Sequence, residues 1–492
     1  MNTSKDLFNL IRSLTKSEKR YFKICNKSDT VYSKLFDEIL KQAEKGIYNE
    51  ELIKQKFKNE KFVKQLTYTK NYLYKLVSNS LIQFHSKDNI ESYIYSLITS
   101  AKIFFRKSLF ENYFKNIEKA ILLAEKYERF GILLELITLQ KHLIRAKDLK
   151  KIKLSDLQRK EQYIFKLLNN LSDITKLYGE LNLNIKRMND SSRKDSVIAI
   201  EKILDNRLLN TEKNAMTVQA KDVFYDMKIF KADFNNEIDE VIYFLLKKRE
   251  NYINNEEIFK MNVNFQLSTI TYNLAAYYLE KGNVNEFEKY FNYYKDIKAK
   301  DNITGLLNDL DLNSLMLRFV FLKRNSEDFR KYSSSVLKYA KENEEKITKD
   351  YLLSIYFNIA VLQFDSGAFE NSLNTLNILL NHRYKNFRKD LITAGNLLSL
   401  FIHYELENFE LLGSLIRPLK RNSTLTGTQK TISNYLLKLI NFRSTVNKKK
   451  QHDLLTDFKS EIRKLKKDRF EKHLLRYFDP EGWITKKLGT DK

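Results

Sequence analysis

Apolar residues recur at three- and four-residue intervals along nearly the whole chain, the spacing that lines them up on one stripe of an α-helix. Alternating runs of the kind that make strands are missing, so the pattern predicts an all-α protein. The stripes are interrupted by Gly, Asn, Ser or charged residues near Ser108, Lys150, Ser192, Asn235, Gly282, Asn325, Gly367, Glu407 and Lys448. Successive intervals are 42, 42, 43, 47, 43, 42, 40 and 41 residues. A fixed interval between breaks is the mark of stacked helical hairpins, each with an apolar face that it cannot bury alone.

Two units show the plan most clearly. Around residues 272–294, small Ala275 allows close helix approach, Gly282 breaks the helix, and Phe287, Phe291 and Tyr294 follow at helical spacing. Around 357–379, Asn358, Ile359 and Ala360 stand where Asn273, Leu274 and Ala275 stood, Gly367 replaces Gly282, and Leu373, Leu376 and Leu379 line the return helix. On these residues the chain resembles tetratricopeptide-repeat proteins. The resemblance is specific for 273–287 and 358–372 and architectural elsewhere, and the interval near 42 exceeds the roughly 34 residues of the standard repeat, so clamp positions do not carry over. It implies a right-handed α-solenoid of about nine hairpins whose concave face holds a partner's peptide segment. It implies no catalysis.

The ends depart from the interval. Three segments are expected: an N-terminal helical module over 1–88, a repeat solenoid over 89–420, and a basic hairpin with a capping helix over 421–492. In the first, Thr15 and Glu18 form a capping-box signature before a short helix through Phe22. A helix from Thr30 to Lys45 ends at Gly46, Asn49 caps a short helix reaching Phe57, and a longer helix runs from Lys61 to His85. This order fits a cap on the solenoid, and it also fits a DNA-reading helix-turn-helix with Lys54, Lys56, Lys58, Lys61, Lys64, Lys70 and Lys75 on its second half. Arg is absent from residues 21–105, which leaves Gln65 and Asn71 as the amides for base edges.

Charge sharpens the question at the other end. Lys plus Arg number 87 against 62 Asp plus Glu, a net +25, which favours acidic partners unless it follows from an AT-rich, Lys-rich composition. Residues 411–492 hold 20 basic and 8 acidic residues. A helix from Asp453 to Arg476 is expected to turn Leu454, Leu455, Phe458, Ile462 and Leu465 inward. Lys448, Lys449, Lys450, Lys459, Arg463, Lys466 and Lys467 then form either a phosphate-contacting ridge or a solvated outer face. Asp479, Pro480 and Glu481 are start signals for a final helix bearing Trp483, the sole tryptophan. That helix either folds back over the last hairpin or serves as a docking motif.

Catalytic chemistry is not legible. The six histidines occur singly, without the paired spacing of a zinc site, and are expected at the surface or its boundary. Cys25, the only cysteine, follows Phe22 and Ile24 and reads as a buried, inert thiol. The stretch 425–431 has one Gly where a phosphate loop needs two, and reads as a flexible connection. Acidic pairs at Asp309/Asp311 and Glu344/Glu345 read as solvated helix ends, and of the aromatic cluster around 290–294 only Tyr293 is expected to face outward. The longest uncharged run, Met261–Leu279, is too polar to span a bilayer, and the first 20 residues lack an apolar secretory stretch.

The sequence is therefore read as a cytoplasmic, non-enzymatic scaffold without cofactor, metal or membrane span. It binds an acidic or extended protein segment on a concave face that carries Asn273, Tyr277, Tyr278, Asn358 and Gln363. The alternative is a nucleic-acid-associated protein that contacts phosphates through its basic N- and C-terminal helices.

Overall fold

A computed structural model describes residues 3–26, 30–85, 90–146, 153–187, 193–259, 263–297, 302–421, 426–443 and 448–490. Among the described residues there are α-helices and short 3-10 turns, and no strand. The chain divides into two compact units, 1–165 and 166–492.

The first unit contains α1 (Thr3–Ser13), α2 (Lys16–Cys25), α3 (Val31–Glu44), α4 (Glu50–Lys56), α5 (Leu66–His85), α6 (Ile90–Arg106), α7 (Phe110–Lys126) and α8 (Phe130–Ala146). Caps set its helix starts. Thr15 accepts from the Glu18 amide while Glu18 reaches back to the Thr15 amide; at α3 and α4 the caps are one-way, Thr30 accepting from the Ser33 amide and Asn49 from the Leu52 amide. Leu7, Ile11, Phe22, Leu35, Phe36, Ile39, Ile53, Leu73 and Val77 close a core between α1 and α5. The expected helix from Lys61 begins instead as a 3-10 turn, Lys61–Gln65, before α5. Cys25 departs from its reading: it is exposed, because it ends α2 on the side where Ile24 is 72% exposed and only Phe22 points inward.

α9 (Leu154–Arg187) runs unbroken for 34 residues and contains the division between units. Paired helices between the expected turns near Lys150 and Ser192 would need a break there, but its sequence holds no Pro and a single Gly. Both of those turn positions lie outside the described residues. α10 (Arg193–Leu204) and two 3-10 turns between Arg207 and Asn214 follow.

From Val218 the order is regular. The pairs are α11 (Val218–Asn235) with α12 (Ile238–Asn254), α13 (Val263–Glu280) with α14 (Val284–Lys295), and α15 (Asn302–Leu322) with α16 (Ser326–Glu342). They continue as α17 (Lys349–Asp365) with α18 (Phe369–Leu380), α19 (Lys389–Glu405) with α20 (Phe409–Arg421), and α21 (Gly427–Arg443) with α22 (Lys448–Lys467). Each second helix packs on the first helix of the next pair, and the first helices α13, α15, α17, α19 and α21 also touch in succession. α23 (Pro480–Thr490) ends the chain.

The turns inside the first five of these pairs share one geometry. Left-handed residues stand at Asn236, Gly282, Arg324, Gly367 and Glu407, separated by 46, 42, 43 and 40 residues. At Gly282 the amide donates to the Leu279 carbonyl and the Asn283 amide reaches back to Tyr278; the same two bonds recur at the other four. This paired closure satisfies carbonyls that the helix end would otherwise orphan. Asn283 and Asn325 then cap the next helix directly. Ala275 and Ala360 are fully buried, and Ser372 and Thr375 of α18 donate to the Ala360 carbonyl and the Gln363 amide oxygen, tying the hairpin shut.

Candidate functional site

The first helices of successive pairs carry a run of tyrosine–aspartate bonds. Tyr277 donates to Asp233 at 2.8 Å, Tyr252 to Asp222 at 2.9 Å, and Tyr477 to Asp390 at 2.7 Å. Asp311 takes two hydroxyls, from Tyr294 at 2.6 Å and from Tyr351. Burial pushes the Asp311 carboxyl up, against the two hydroxyls it accepts. Asp309 and Asp311 thus stand within α15 rather than at a solvated helix end, and Asp311 joins α14, α15 and α17.

Further along, the Arg388 guanidinium grips Asp390 through Nε at 2.9 Å and Nη2 at 2.7 Å, and donates to Ser354 at 2.7 Å. Burial opposes ionisation of Asp390, but Arg388 and Tyr477 together hold its carboxyl below the usual range. On α12, burial opposes the charge of Lys248, whose side chain is 6% exposed, and Asp226 and Asp222 restore it. These groups are fixed ion pairs, not free acids or bases.

The residues expected on the concave face divide. Asn358 is exposed and lines a small cleft of mixed character with Tyr272, Ser314, Arg318, Tyr351, Ser354 and the aliphatic Leu317, Ile355, Ile359 and Leu362, contributed by three consecutive first helices. Asn273 and Tyr278 are half-buried on α13, and Tyr278 lies parallel to Tyr290, ring centroids 5.5 Å apart. Tyr277 is engaged by Asp233. Gln363 is buried and faces the return helix through Thr375, so it holds the hairpin together and does not present itself to a ligand.

The surface of the first helices is also crossed by the chain itself. After α22 ends at Lys467, residues 468–479 run back over them. Glu471 accepts the Gly427 and Thr428 amides at 3.0 and 2.8 Å, capping α21 with an anion from the same chain. Those are the amides that a phosphate loop would have offered. Arg469 pairs with Glu201 at 3.2 Å, Arg476 with Asp233, and the His473 ring packs at a tilt of 38° against Phe234. Trp483 donates to Glu405 at 2.5 Å and packs edge-on against Phe401 and Tyr404, while Lys487 pairs with Glu405 at 2.9 Å and Lys486 donates to the Asp365 carbonyl. The expected helix to Arg476 stops short because Asp468 turns its carboxylate onto the Phe470 and Glu471 amides.

This return consumes part of the basic ridge. Arg463 pairs with Glu481 at 2.7 Å, and Lys466 with Glu481 at 2.8 Å and Asp479 at 3.1 Å. Lys449, Lys450 and Lys467 are exposed and Lys459 is half-buried. Lys448 opens α22, and its side chain lies outside the described residues. Leu454, Leu455, Phe458 and Ile462 face inward as expected, with Leu465 partly covered.

Two of the histidines, His403 and His473, differ from expectation. Both are buried, and His382 sits beside Glu344 at 3.5 Å, whereas His85 is exposed on Glu18. The side chain of His142 lies outside the described residues. Among the described residues, no group of three His, Cys, Asp or Glu side chains is placed to hold a metal ion, and no helix is long and apolar enough to cross a membrane. Comparison with protein-family models, with curated proteins and with solved structures finds no match to this chain.

Proposed function

We propose that this chain is a non-enzymatic scaffold: a right-handed solenoid of tetratricopeptide-like hairpins that binds a segment of another protein along the surface of its first helices. The observation that carries this reading is the crossing of that surface by residues 468–487, held by ion pairs, a tyrosine hydroxyl and a buried indole. The surface accommodates a chain segment, and in the stretch around Asn358 it leaves a cleft uncovered.

α13, α15, α17 and α19 carry seven acidic residues (Glu280, Asp309, Asp311, Asp350, Asp365, Asp390 and Glu405) against three basic ones (Arg318, Lys349 and Lys389). The chain's own segment pairs Arg476 with Asp233 of α11 and Lys487 with Glu405 of α19, and Lys486 donates to the Asp365 carbonyl at the end of α17. Over all six first helices, α11 and α21 included, ten acidic residues stand against nine basic ones, so charge alone does not choose the partner; the segment bound is extended and carries an aromatic anchor, as Trp483 does for the chain's own.

The test is a photo-crosslinking residue at Asn358, compared with one at the exposed Tyr293 on the return helix α14. Crosslinks to a protein at Asn358, surviving nuclease and suppressed by a peptide of residues 469–487, support the reading. Equal crosslinking at the two positions, or none at Asn358, rejects it.

A further inference from the structure

We propose that the exposed face of α5, in the first unit, is a contact surface for duplex DNA. The fold sorts the lysines of this region into two groups. Lys34, Lys54, Lys56 and Lys70 are spent on Glu60, Glu51, Glu38 and Glu50. Lys58, Lys61, Lys64 and Lys75 are exposed, and they form no ion pair among the described residues. Residues 61–87 contain no Asp or Glu at all, so nothing on α5 itself neutralises them.

What lies between these cations suits a groove. Along α5, Tyr68, Asn71, Lys75, Asn79 and Ile82 follow at spacings of three and four residues and are all exposed, Tyr68 at 66%. At about 100° per residue they form one stripe. With a rise of about 1.5 to 2 Å per residue, Lys64 and Lys75 stand roughly 17 Å apart. A duplex major groove is about 12 Å wide, so a helix laid in it can reach backbone phosphates with Lys64, just before α5, and Lys75, at its middle, and presents Asn71 to base edges between them.

The helix is also held rigidly from behind. The Lys70 ammonium, 3% exposed, bonds Glu50 at 2.6 Å and fixes α4 against α5. The Gln42 amide exchanges hydrogen bonds with the Asn49 backbone at 2.8 and 3.1 Å, which sets the turn before α4. Lysine rather than arginine on this face suits point contacts to phosphate. A lipid surface needs a broad apolar face, which Gln65, Thr67, Asn71 and Asn79 interrupt, and A-form RNA closes its major groove to a helix.

The experiment is a fluorescence anisotropy titration of the full chain against a mixed-sequence 20-base-pair DNA duplex over a salt series. The expected Kd is about 10⁻⁴ to 10⁻⁶ M near physiological salt, with log affinity falling linearly in log salt. Lys64→Gln with Lys75→Gln should lower affinity at least several-fold and reduce the salt slope by about 2, one per phosphate contact. The control pair Lys107→Gln with Lys115→Gln removes the same charge from exposed positions on α6–α7 and should leave the slope unchanged. Equal effects of the two pairs, tighter binding to single strands that Tyr68→Ala abolishes, or binding to anionic vesicles but not to duplex would each overturn the proposal.

Discussion

The indole of Trp483 donates to a Glu405 carboxylate oxygen at 2.5 Å while the other oxygen accepts Lys487 at 2.9 Å. One carboxylate at the end of α19 thus locks α23 through both an apolar anchor and a charge. Trp483→Phe keeps most of the packing and loses the bond, costing about 1.5–3 kcal/mol for a hydrogen bond to a charged acceptor. Trp483→Ala also empties the site between Phe401 and Tyr404 and should cost roughly 3–5 kcal/mol. Urea unfolding followed by far-ultraviolet circular dichroism checks the order; equal stability of the two variants would contradict it.

Glu407 holds a left-handed backbone conformation, φ +60°, at the turn that Gly282 makes at φ +76° and Gly367 at φ +81°. A Cβ is strained there and a glycine is not. Glu407→Gly should raise stability by up to about 1 kcal/mol, the relief of strain exceeding the extra freedom of the unfolded chain, and Gly367→Ala should lower it by about 1 kcal/mol. Thermal melts of both variants decide; a loss for Glu407→Gly or a gain for Gly367→Ala would remove the explanation.

Burial lifts the Asp365 carboxyl to about 6, with Lys486 only partly offsetting it. An acid whose folded value is raised binds more protons folded than unfolded. Its contribution is therefore favourable below about pH 4 and is lost as pH rises toward 6. Asp365→Asn should be more stable than the parent at pH 7.5, by on the order of 1–2 kcal/mol, and the advantage should shrink to nothing near pH 4. Parallel denaturation curves at the two pH values measure this, and an advantage independent of pH would refute it.

Ala275 and Ala360 are fully buried where a first helix meets its return helix. Ala360→Leu inserts three heavy atoms into that seam, beside the Ser372 bond to the Ala360 carbonyl, and should cost roughly 1–3 kcal/mol or more. A comparably small change at an exposed site, Ser414→Ala on α20, should stay within about 0.5 kcal/mol. Comparable losses for both would mean that the seam is not close-packed.

Much of this protein is written locally. The stripes that make α11 to α22, the caps at Thr15, Thr30, Asn49, Asn283 and Asn325, and the turns at Gly282 and Gly367 depend on residues within five positions of one another, so periodicity and turn chemistry suffice to find them. The inward face of α22 is legible for the same reason. The sequence does not reveal that Gln363 turns to Thr375 or that Asp311 collects Tyr294 and Tyr351. Nor does it reveal that Arg469 and Arg476 close on Glu201 and Asp233, 268 and 243 residues away. A charged side chain carries no local mark of its distant partner, and burial, which sets the worth of each pair, exists only once the helices have assembled. The helices were determined by the order of residues; which charges the fold spends internally and which it leaves facing outward was decided by packing alone.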